Sequence, residues 1–419
     1  MSIRRVGILG GGKMATEIFK LLSGFDFDLA LWSPFPEEVE AAERELTRKL
    51  KRRAAKGGAR GEAAAAKLAR MRFGTDMAMM ADVDLVIEAV IESLEPKRKV
   101  FRDLDKVARP DTIFVTNTST LSPSSMVPSP ERAKRFAGLH YFYPVSLISF
   151  VEVVPIQATD PDATEDLVAF VSATGKRPLV VTKEVNGYLV NRLLGAYYNE
   201  GGNLVGEGYW LPGQVDEIAK RFATIGPCES VDYVGVDVIL HGVESADASW
   251  GRKDHIAVQS RGHEPWTIMH FKLRDDGRMG RKTGAGFYRY EDGQAVEDPD
   301  YIREAVKDLR IYHRTPGHDE DIVEKRLFYA LVLEAVLTLE RNIGTKEDID
   351  HTLKELLGLK QGPFEYIDSV GVDTVRAISD ELVEKVGSRY ALIGFLRRPD
   401  DAITPWEQDA WFHDRGASR

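Results

Sequence analysis

Apolar and polar positions alternate along residues 1–185 in a way that is typical of strands joined by helices. Short apolar runs predict strands at 4–9, 28–32, 71–73, 84–90 and 112–116. The stretches between them predict helices at 16–22, 37–70 and 95–108, and the longest of these is predicted to break at the glycine pair 57–58. Because strands and helices alternate, we predict a doubly wound α/β domain with a mostly parallel sheet.

The pattern changes past residue 185, where helices follow one another. A segment that begins Gly-Pro and ends Val-Gly-Val-Asp occurs at 226–237 and again at 362–373. We therefore predict two all-α domains related by duplication, at 186–294 and 295–419. The register pairs Asn191 with Lys325, so only the first copy is predicted to serve catalysis.

A glycine-rich turn joins the first strand to the first helix. Its sequence, GGGKMA, matches G-x-G-x-x-G/A, in which Gly10 makes the tight turn and Gly12 lets a pyrophosphate approach the backbone. Lys13 and Met14 follow in the same turn. The N–H groups at the start of a helix favour an anion. A merely structural glycine turn is the alternative, but the flanking strand and helix favour a Rossmann-type nucleotide site.

The end of the second strand bears on the choice of cofactor. An acid that binds the adenine ribose is expected there, and the strand ends in Ser33 instead. A serine hydroxyl still bonds a ribose hydroxyl, and the charges of Glu37 and Glu38 would repel the extra phosphate of NADP. We predict NAD as the cofactor and no metal.

A hydroxyl, an imidazole and a carboxylate follow the nucleotide-binding loop. Ser119 comes after the strand at 112–116, and His140 and Glu152 lie in apolar runs joined by a short connection. Strands joined in this way can lie side by side, and an imidazole beside a buried carboxylate is held in one tautomer and made more basic. Such an imidazole is suited to removing a proton from an alcohol. Asn191, in an apolar helical stretch, is predicted to face a site.

Each of these residues has an ordinary structural explanation when it is taken alone. A serine in an Asn-Thr-Ser-Thr run is more often a turn or a helix cap, a lone histidine an interior side chain, and a lone glutamate a partner for lysine. Their combination, after a nucleotide-binding loop, favours the catalytic interpretation.

Composition limits the remaining choices. The chain has 419 residues with 43% apolar content, and its formal net charge of -10 argues against nucleic acid as the main partner. A single cysteine, Cys228, fits a reducing compartment. The first strand starts too close to Met1 for a signal peptide, and the apolar run at 85–87 is far too short for a membrane span. We predict a cytoplasmic protein that does not contact a membrane.

Basic residues are concentrated between Arg44 and Arg60, where there are eight of them and one acid. The structural interpretation is a solvated helix face. The functional interpretation is a binding surface for a polyphosphate carrier such as coenzyme A. A nucleic-acid surface is less favoured, because the run contains no aromatic residues.

These motifs together resemble the 3-hydroxyacyl-CoA dehydrogenase family over nearly the whole chain. The segments that carry the resemblance are GILGGGKMA, VIEAVIESLEPKRKVF, NTSTLS, RFAGLHYFYPV, FVEVV, NGYLVNRLL, RKTGAGFYRY and both Gly-Pro segments. The duplicated C-terminal region resembles the dehydrogenase half of the multifunctional β-oxidation proteins, but no enoyl-CoA hydratase domain precedes it. We therefore expect a stand-alone dehydrogenase.

The resemblance implies a role for each candidate residue. His140 is the catalytic base and Glu152 its partner, while Ser119 and Asn191 contact the substrate. Further cofactor contacts are implied for Glu92, Lys97 and Lys282, and coenzyme A contacts for Lys49 and Lys56. Two positions depart from the family pattern: Ser33 replaces the ribose-binding acid, and Tyr143 replaces the asparagine beside the nicotinamide.

The resemblance implies reversible oxidation of a 3-hydroxyacyl-CoA to the 3-ketoacyl-CoA, as in β-oxidation. Two alternatives stay open, namely a dehydrogenase of a free hydroxy acid or sugar acid, and a non-catalytic NAD-binding structural protein. Single-copy relatives pair through their C-terminal domains. The second copy is therefore expected to pack on the first, which gives a monomer with an internal pseudo-dimer, and a homodimer is the alternative.

Overall fold

The computed structural model describes residues 3–240, 268–309 and 318–398. The chain forms two compact units, Met1–Val185 and Asn186–Arg419. The predicted domains 186–294 and 295–419 include residues 241–267, 310–317 and 399–419, which lie outside the described residues. In the described part of the chain, no helix combines the length and the apolar character of a membrane span.

An eight-stranded sheet forms the centre of the first unit, in the order β3-β2-β1-β4-β5-β6-β7-β8. Its strands are β1 Arg5–Leu9, β2 Asp28–Trp32, β3 Met71–Gly74, β4 Leu85–Glu88, β5 Ile113–Thr116, β6 Phe136–His140, β7 Phe150–Pro155 and β8 Arg177–Val180. The strands from β3 to β6 are all parallel, and only the β6–β7 pair is antiparallel. The order 3-2-1-4-5-6 is that of a dinucleotide-binding sheet, so the predicted Rossmann-type fold is confirmed.

Helices cover the sheet on both faces. They are α1 Lys13–Leu22, α2 Pro36–Ala54, α3 Gly58–Leu68, α4 Leu94–Asp105 and α5 Pro161–Ala173. Side chains alternate along each strand, so Ile8 packs in the core that contains Ile18 of α1, while Leu9 packs in the core that contains Phe101 of α4. The predicted break in the long helical stretch lies between α2 and α3. Gly57 and Gly58 there have φ angles of +66° and +67°, which glycine adopts without strain.

The second unit is mostly helical. Its described helices are α6 Val190–Gly206, α7 Pro212–Ala219, α8 Pro227–Val234, α9 Ile268–Asp275, α10 Pro299–Asp308, α11 Glu320–Glu340, α12 Lys346–Leu357, α13 Pro363–Val370 and α14 Val372–Lys385. A short antiparallel hairpin, β9 Arg289–Glu291 and β10 Gln294–Val296, is an addition to the predicted all-α pattern. Its strands are three residues long, which is too short for a recognisable alternation.

The long helices α6 and α11 pack together through two buried ion pairs. Arg192 of α6 donates to Glu334 of α11 at 3.0 Å, and Arg326 of α11 donates to Glu200 of α6 at 2.7 Å. The register that pairs Asn191 with Lys325 also pairs Arg192 with Arg326 and Glu200 with Glu334. The arginine of each helix therefore binds the glutamate of the other, as in a two-fold interface. This reciprocity supports the duplication, which stays a prediction.

A second correspondence involves the start of two short helices. Asp216 of α7 accepts the backbone N–H groups of Cys228 and Glu229 at the start of α8. Asp350 of α12 accepts those of Phe364 and Glu365 at the start of α13 in the same way. In both places a buried carboxylate satisfies N–H groups that a helix leaves without an intrahelical acceptor.

Candidate active site

The glycine loop follows β1 at the carboxyl edge of the sheet. Gly10 has a φ angle of +120°, and a Cβ there would lie 2.6 Å from the carbonyl oxygen of Ala89 after β4, so only glycine fits. A Cβ at Gly12 would meet nothing within 4 Å, so the loop leaves open space beside the start of α1. No side chain caps that helix start. The loop thus has the room and the N–H donors that a dinucleotide pyrophosphate needs.

Lys13 and Met14 are the first residues of α1, and Ala15 is buried where the helix meets the sheet. The Lys13 ammonium lies 3.9 Å from the centre of the Tyr143 ring, a cation–π contact. Tyr143 follows β6 and is half-exposed. Two of the predicted cofactor residues, which are distant in sequence, are thus adjacent at the mouth of the glycine loop.

Ser33 is buried at the end of β2. Its hydroxyl donates to the carboxylate Oε2 of Glu38 at 2.6 Å and accepts the backbone N–H of Phe35 at 3.3 Å. Glu38 lies in the first turn of α2. The predicted ribose-binding position is therefore coupled to a carboxylate on the following helix.

His140 lies between Ser119 and Glu152. The antiparallel register of β6 and β7 places His140 directly opposite Glu152, and the imidazole Nδ1 is 2.6 Å from the carboxylate Oε2. The imidazole Nε2 is 3.0 Å from the Ser119 hydroxyl in the loop after β5. His140 and Glu152 are buried, whereas Ser119 is half-buried. The structure thus brings three predicted catalytic residues together at the carboxyl edge of the sheet.

The hydrogen bonds determine which nitrogen of His140 can act as a base. An ionised carboxylate only accepts, so Nδ1 carries the proton that is shared with Glu152. Nε2 is then the acceptor, and it points towards the Ser119 hydroxyl. The Phe142 ring, with its centre 4.2 Å from that of the imidazole, packs beside it. A base held in one tautomer in this way is suited to take a proton from an alcohol.

A second polar cluster supports the loop that carries Ser119. Lys97 is buried and binds Glu88 at 2.7 Å and Glu92 at 3.1 Å. Glu92 in turn accepts the hydroxyl of Thr118 and the backbone N–H of Ser119, the latter at 3.0 Å. The predicted cofactor residues Glu92 and Lys97 therefore also position the Ser119 loop.

Charge pairing shifts the pKa values of Glu92 and Lys97 in the directions that favour their charged forms. Burial alone would raise the pKa of the Glu92 carboxyl, but the Lys97 ammonium and hydrogen bonds from Thr118 and Ser119 lower it below its usual range. Burial likewise favours neutral Lys97, but Glu88 and Glu92 raise its pKa above the ordinary value. The ion pair of Glu92 with Lys97 thus lies beside the loop that carries Ser119.

Two supporting residues were missed in the sequence. Glu88 is fully buried at the end of β4 and accepts the hydroxyl of Thr116 at 2.7 Å as well as the Lys97 ammonium. Asn117 accepts the backbone N–H of Tyr141 at 2.8 Å and so links the loops after β5 and β6. An acid that ends an apolar strand was a visible signal for Glu88. Asn117 had none beyond its neighbours.

Lys49 and Lys56 are exposed, the first on α2 and the second in the turn that follows it. The other basic residues between Arg44 and Arg60 are exposed as well. Cations at the end of a helix also complement its dipole, which gives the last turn of α2 a structural reason to be basic. The coenzyme A contacts of Lys49 and Lys56 stay a prediction.

Asn191 and Lys282 belong to the second unit. Asn191 is half-buried in the first turn of α6. Lys282 is half-exposed, and its ammonium binds the carboxylate of Asp237 with 2.6 Å to Oδ2. The substrate contact of Asn191 and the cofactor contact of Lys282 stay predictions.

Comparison with known families identifies both parts of the chain. Residues 5–185 match the NAD binding domain of 3-hydroxyacyl-CoA dehydrogenase, and residues 187–290 and 323–398 match its C-terminal domain. The chain belongs to the 3-hydroxyacyl-CoA dehydrogenase family. The predicted family is thus confirmed, and the glycine loop lies in the family's NAD-binding domain.

Curated relatives of this dehydrogenase family agree. Human mitochondrial hydroxyacyl-coenzyme A dehydrogenase is 33% identical over 69% of this chain and 92% of its own length. The fatty acid oxidation complex subunit alpha of Vibrio vulnificus is 31% identical over 78% of this chain. This chain matches 44% of that subunit's length, so it spans about half of such relatives.

Solved structures show the same fold. A 3-hydroxybutyryl-CoA dehydrogenase from Escherichia coli superimposes with a TM-score of 0.77 at 21% identity, over 94% of this chain and 98% of the other. An (S)-3-hydroxybutyryl-CoA dehydrogenase from Ralstonia eutropha gives a TM-score of 0.60 at 28% identity, over 69% of this chain and 100% of the other.

Proposed function

We propose that this member of the 3-hydroxyacyl-CoA dehydrogenase family catalyses the reversible NAD-dependent oxidation of a 3-hydroxyacyl-CoA to the 3-ketoacyl-CoA. The observation that carries the proposal is His140, held between Glu152 and Ser119 on the side of the sheet where the glycine loop lies. Removal of a hydroxyl proton needs a base with an acceptor atom. The Nε2 atom of His140 meets that requirement.

Each residue has a definite task in the proposed reaction. The Nε2 atom of His140 takes the proton of the substrate 3-hydroxyl, and Glu152 stabilises the imidazolium that forms without itself accepting a proton. Ser119 donates a hydrogen bond to the substrate oxygen, and Asn191 is proposed as a second donor. NAD held at the glycine loop would supply the hydride acceptor. The substrate loses a hydride from C3 and its hydroxyl proton to His140, two electrons and two protons in total, and the carbonyl remains.

The fit to NAD follows from the residues of the first unit. Gly10 allows the tight turn, Gly12 leaves room for the pyrophosphate, and Tyr143 and Lys13 lie beside that loop. We propose that exposed Lys49 and Lys56 meet the phosphates of coenzyme A, for which two cations without buried partners are suited.

An assay that varies both halves of the substrate tests the proposal. NADH oxidation is followed with 3-ketoacyl-CoA esters of graded chain length and with the matching free keto acids. His140→Gln should lower turnover about 10²- to 10⁴-fold while NADH binding is retained, and Glu152→Gln should lower it less. Glu165→Gln, the same change on the exposed face of α5, is the matched control and should be neutral.

The outcomes separate the alternatives. Equal turnover of the free acids would favour a dehydrogenase that does not need coenzyme A. Near-normal turnover of His140→Gln would contradict the proposed base. An enzyme that binds NADH but reduces none of these substrates would favour a non-catalytic role.

We also propose that the second copy packs on the first as an internal pseudo-dimer with one NAD site per chain. The reciprocal pairs Arg192–Glu334 and Arg326–Glu200 support this arrangement. Calorimetric titration with NADH should give one site per chain. Two sites would contradict it.

A further inference from the structure

The second strand of this NAD-binding domain ends without the acid that such domains use to bind the adenine ribose. Ser33 occupies that position and is fully buried. A short hydroxyl without solvent exposure is poorly placed to select between NAD and NADP by itself. Selection between the two cofactors therefore requires a second residue, and the Ser33 hydroxyl contacts a candidate for it.

That residue is Glu38. The Ser33 hydroxyl donates to its Oε2 atom at 2.6 Å, which holds the carboxylate at the end of β2 although Glu38 belongs to α2. The start of α2 also favours a negative charge at this position. A hydrogen bond thus orients the carboxylate, and the helix start stabilises its charge.

The glycine loop approaches Glu38 closely. A Cβ added at Gly11 would lie 2.5 Å from the Cβ of Glu38 and 2.9 Å from its Oε2. The middle position of the motif, which in general accepts any residue, must here be glycine because Glu38 fills the adjoining space. The carboxylate therefore lies directly against the loop that is expected to bind the pyrophosphate.

The charge of Glu38 is not compensated by a neighbouring side chain. Among the described residues, no lysine or arginine forms an ion pair with it, and it is half-exposed. Glu37, one residue earlier in the same turn, is exposed, and in the described chain it forms no hydrogen bond with Ser33. The two acids thus differ in position although they carry the same charge.

We propose that Glu38 is the carboxylate that accepts the adenosine ribose hydroxyls, in place of the missing acid at the end of β2. It selects NAD over NADP because the 2′-phosphate of NADP would lie against an anion. Ser33 is then a positioning residue that orients Glu38. The proposal rests on the proposed use of NAD and adds the residue that binds the adenosine ribose of that cofactor.

Direct binding of NADH and NADPH tests the inference without reference to catalysis. Dissociation constants are measured by calorimetry for the unmodified chain, Glu38→Gln, Glu37→Gln and Ser33→Ala. Glu38→Gln should lower the preference for NADH over NADPH about tenfold, since a hydrogen bond to a charged group is lost and the repulsion disappears. Ser33→Ala should lower the preference for NADH by a smaller factor, and Glu37→Gln should leave that preference unchanged.

Moving the carboxylate from position 38 to position 33 provides a rescue experiment. Glu38→Ser alone should lose the preference, and Ser33→Asp combined with Glu38→Ser should restore it by returning the carboxylate to the end of the strand. The inference is overturned if Glu38→Gln and Glu37→Gln behave alike. If Glu38→Gln does not fold, an unchanged preference in Ser33→Ala overturns it. Discrimination that depends on Glu38 in a protein inactive on acyl-CoA would leave this inference standing and contradict the proposed reaction.

Discussion

The duplication that we propose pairs α6 with α11, yet the two helices keep different residues. Both retain the arginine and the glutamate that bind across their contact, Arg192 and Glu200 in α6 and Arg326 and Glu334 in α11. They differ at the preceding position, where α6 has Asn191 and α11 has Lys325. The charged residues of the contact between α6 and α11 are thus present in both helices. The asparagine that is the candidate substrate contact is present in α6 and replaced in α11.

The same difference appears next to α8 and α13. Asp232 at the end of α8 is buried and accepts the backbone N–H groups of Phe287 and Tyr288, which lead into the β9–β10 hairpin. Asp368, its counterpart in α13, is exposed. An aspartate is present in both places, but within residues 3–240, 268–309 and 318–398 only Asp232 accepts hydrogen bonds from a neighbouring segment. Under the proposed duplication, the two halves keep the same packing residues and differ at the position that is proposed to contact the substrate.

Loss of the Arg326 guanidinium is the most severe way to break the reciprocal contact. Arg326 is fully buried and binds both Glu200 and Glu207, so Arg326→Met would leave two buried carboxylates without it. We expect a loss of about 3–5 kcal/mol in the free energy of unfolding by urea. Arg192→Met, which breaks the other half of the contact, should cost less.

The matched control is Lys325→Met, at the neighbouring position. Its ion pairs with Asp321 and Glu381 are partly exposed, so the cost should stay within about 0.5 kcal/mol. If Arg326→Met were as stable as this control, the buried pairs would contribute nothing to the contact between the two halves.

Acid should weaken the same contact. Burial alone would raise the pKa of Glu200, but the guanidinium groups of Arg389 and Arg326 lower it to about 2. The folded-state pKa then lies below the unfolded one, so the unfolded chain binds more protons between the two values and stability is lost as pH falls through them. Between about pH 6 and about pH 3 the loss should reach about 2 kcal/mol.

The measurement is urea unfolding of the unmodified chain and of Glu200→Gln across that pH range. Other carboxyls titrate there too, so the informative quantity is the stability difference between the two proteins at each pH. That difference should shrink as pH falls. A constant difference would mean that Glu200 is not held ionised by the arginines.

The smallest expected effect concerns activity. Asn191→Ala should lower kcat/KM about tenfold through the loss of one hydrogen bond to the substrate, and Lys325→Met should leave it unchanged. Both variants are assayed with the same 3-ketoacyl-CoA and NADH. Equal losses from the two would remove the functional distinction between the halves.

The sequence was most informative where structure is local. The apolar runs of the first unit and the glycine turn predicted strands and a loop that the structure has, because each depends on a few neighbouring residues. The proximity of His140 and Glu152 was predictable for a related reason, since two strands with a short connection pair side by side.

What the sequence could not predict depends on the path of the backbone between elements. The Ser33–Glu38 contact arises because the chain turns back at the start of α2, and the Glu88–Lys97 pair arises because α4 packs one lysine inwards. In the sequence, Arg192 and Arg326 lie in apolar stretches, and no local pattern indicates which carboxylate each one binds. Their pairing requires α6 and α11 to meet, which no local pattern encodes.

The register of β6 and β7 has a consequence for how this site can change over evolutionary time. His140 and Glu152 are held opposite each other by backbone pairing, so their separation does not depend on the segment that connects the two strands. That segment, residues 141–149, includes Tyr143 at the mouth of the glycine loop. Insertions and substitutions in it can therefore reshape the mouth of the glycine loop without separating His140 from Glu152. Under the proposed function, this connection is the part of the site that can vary while the two residues proposed for proton transfer stay in place.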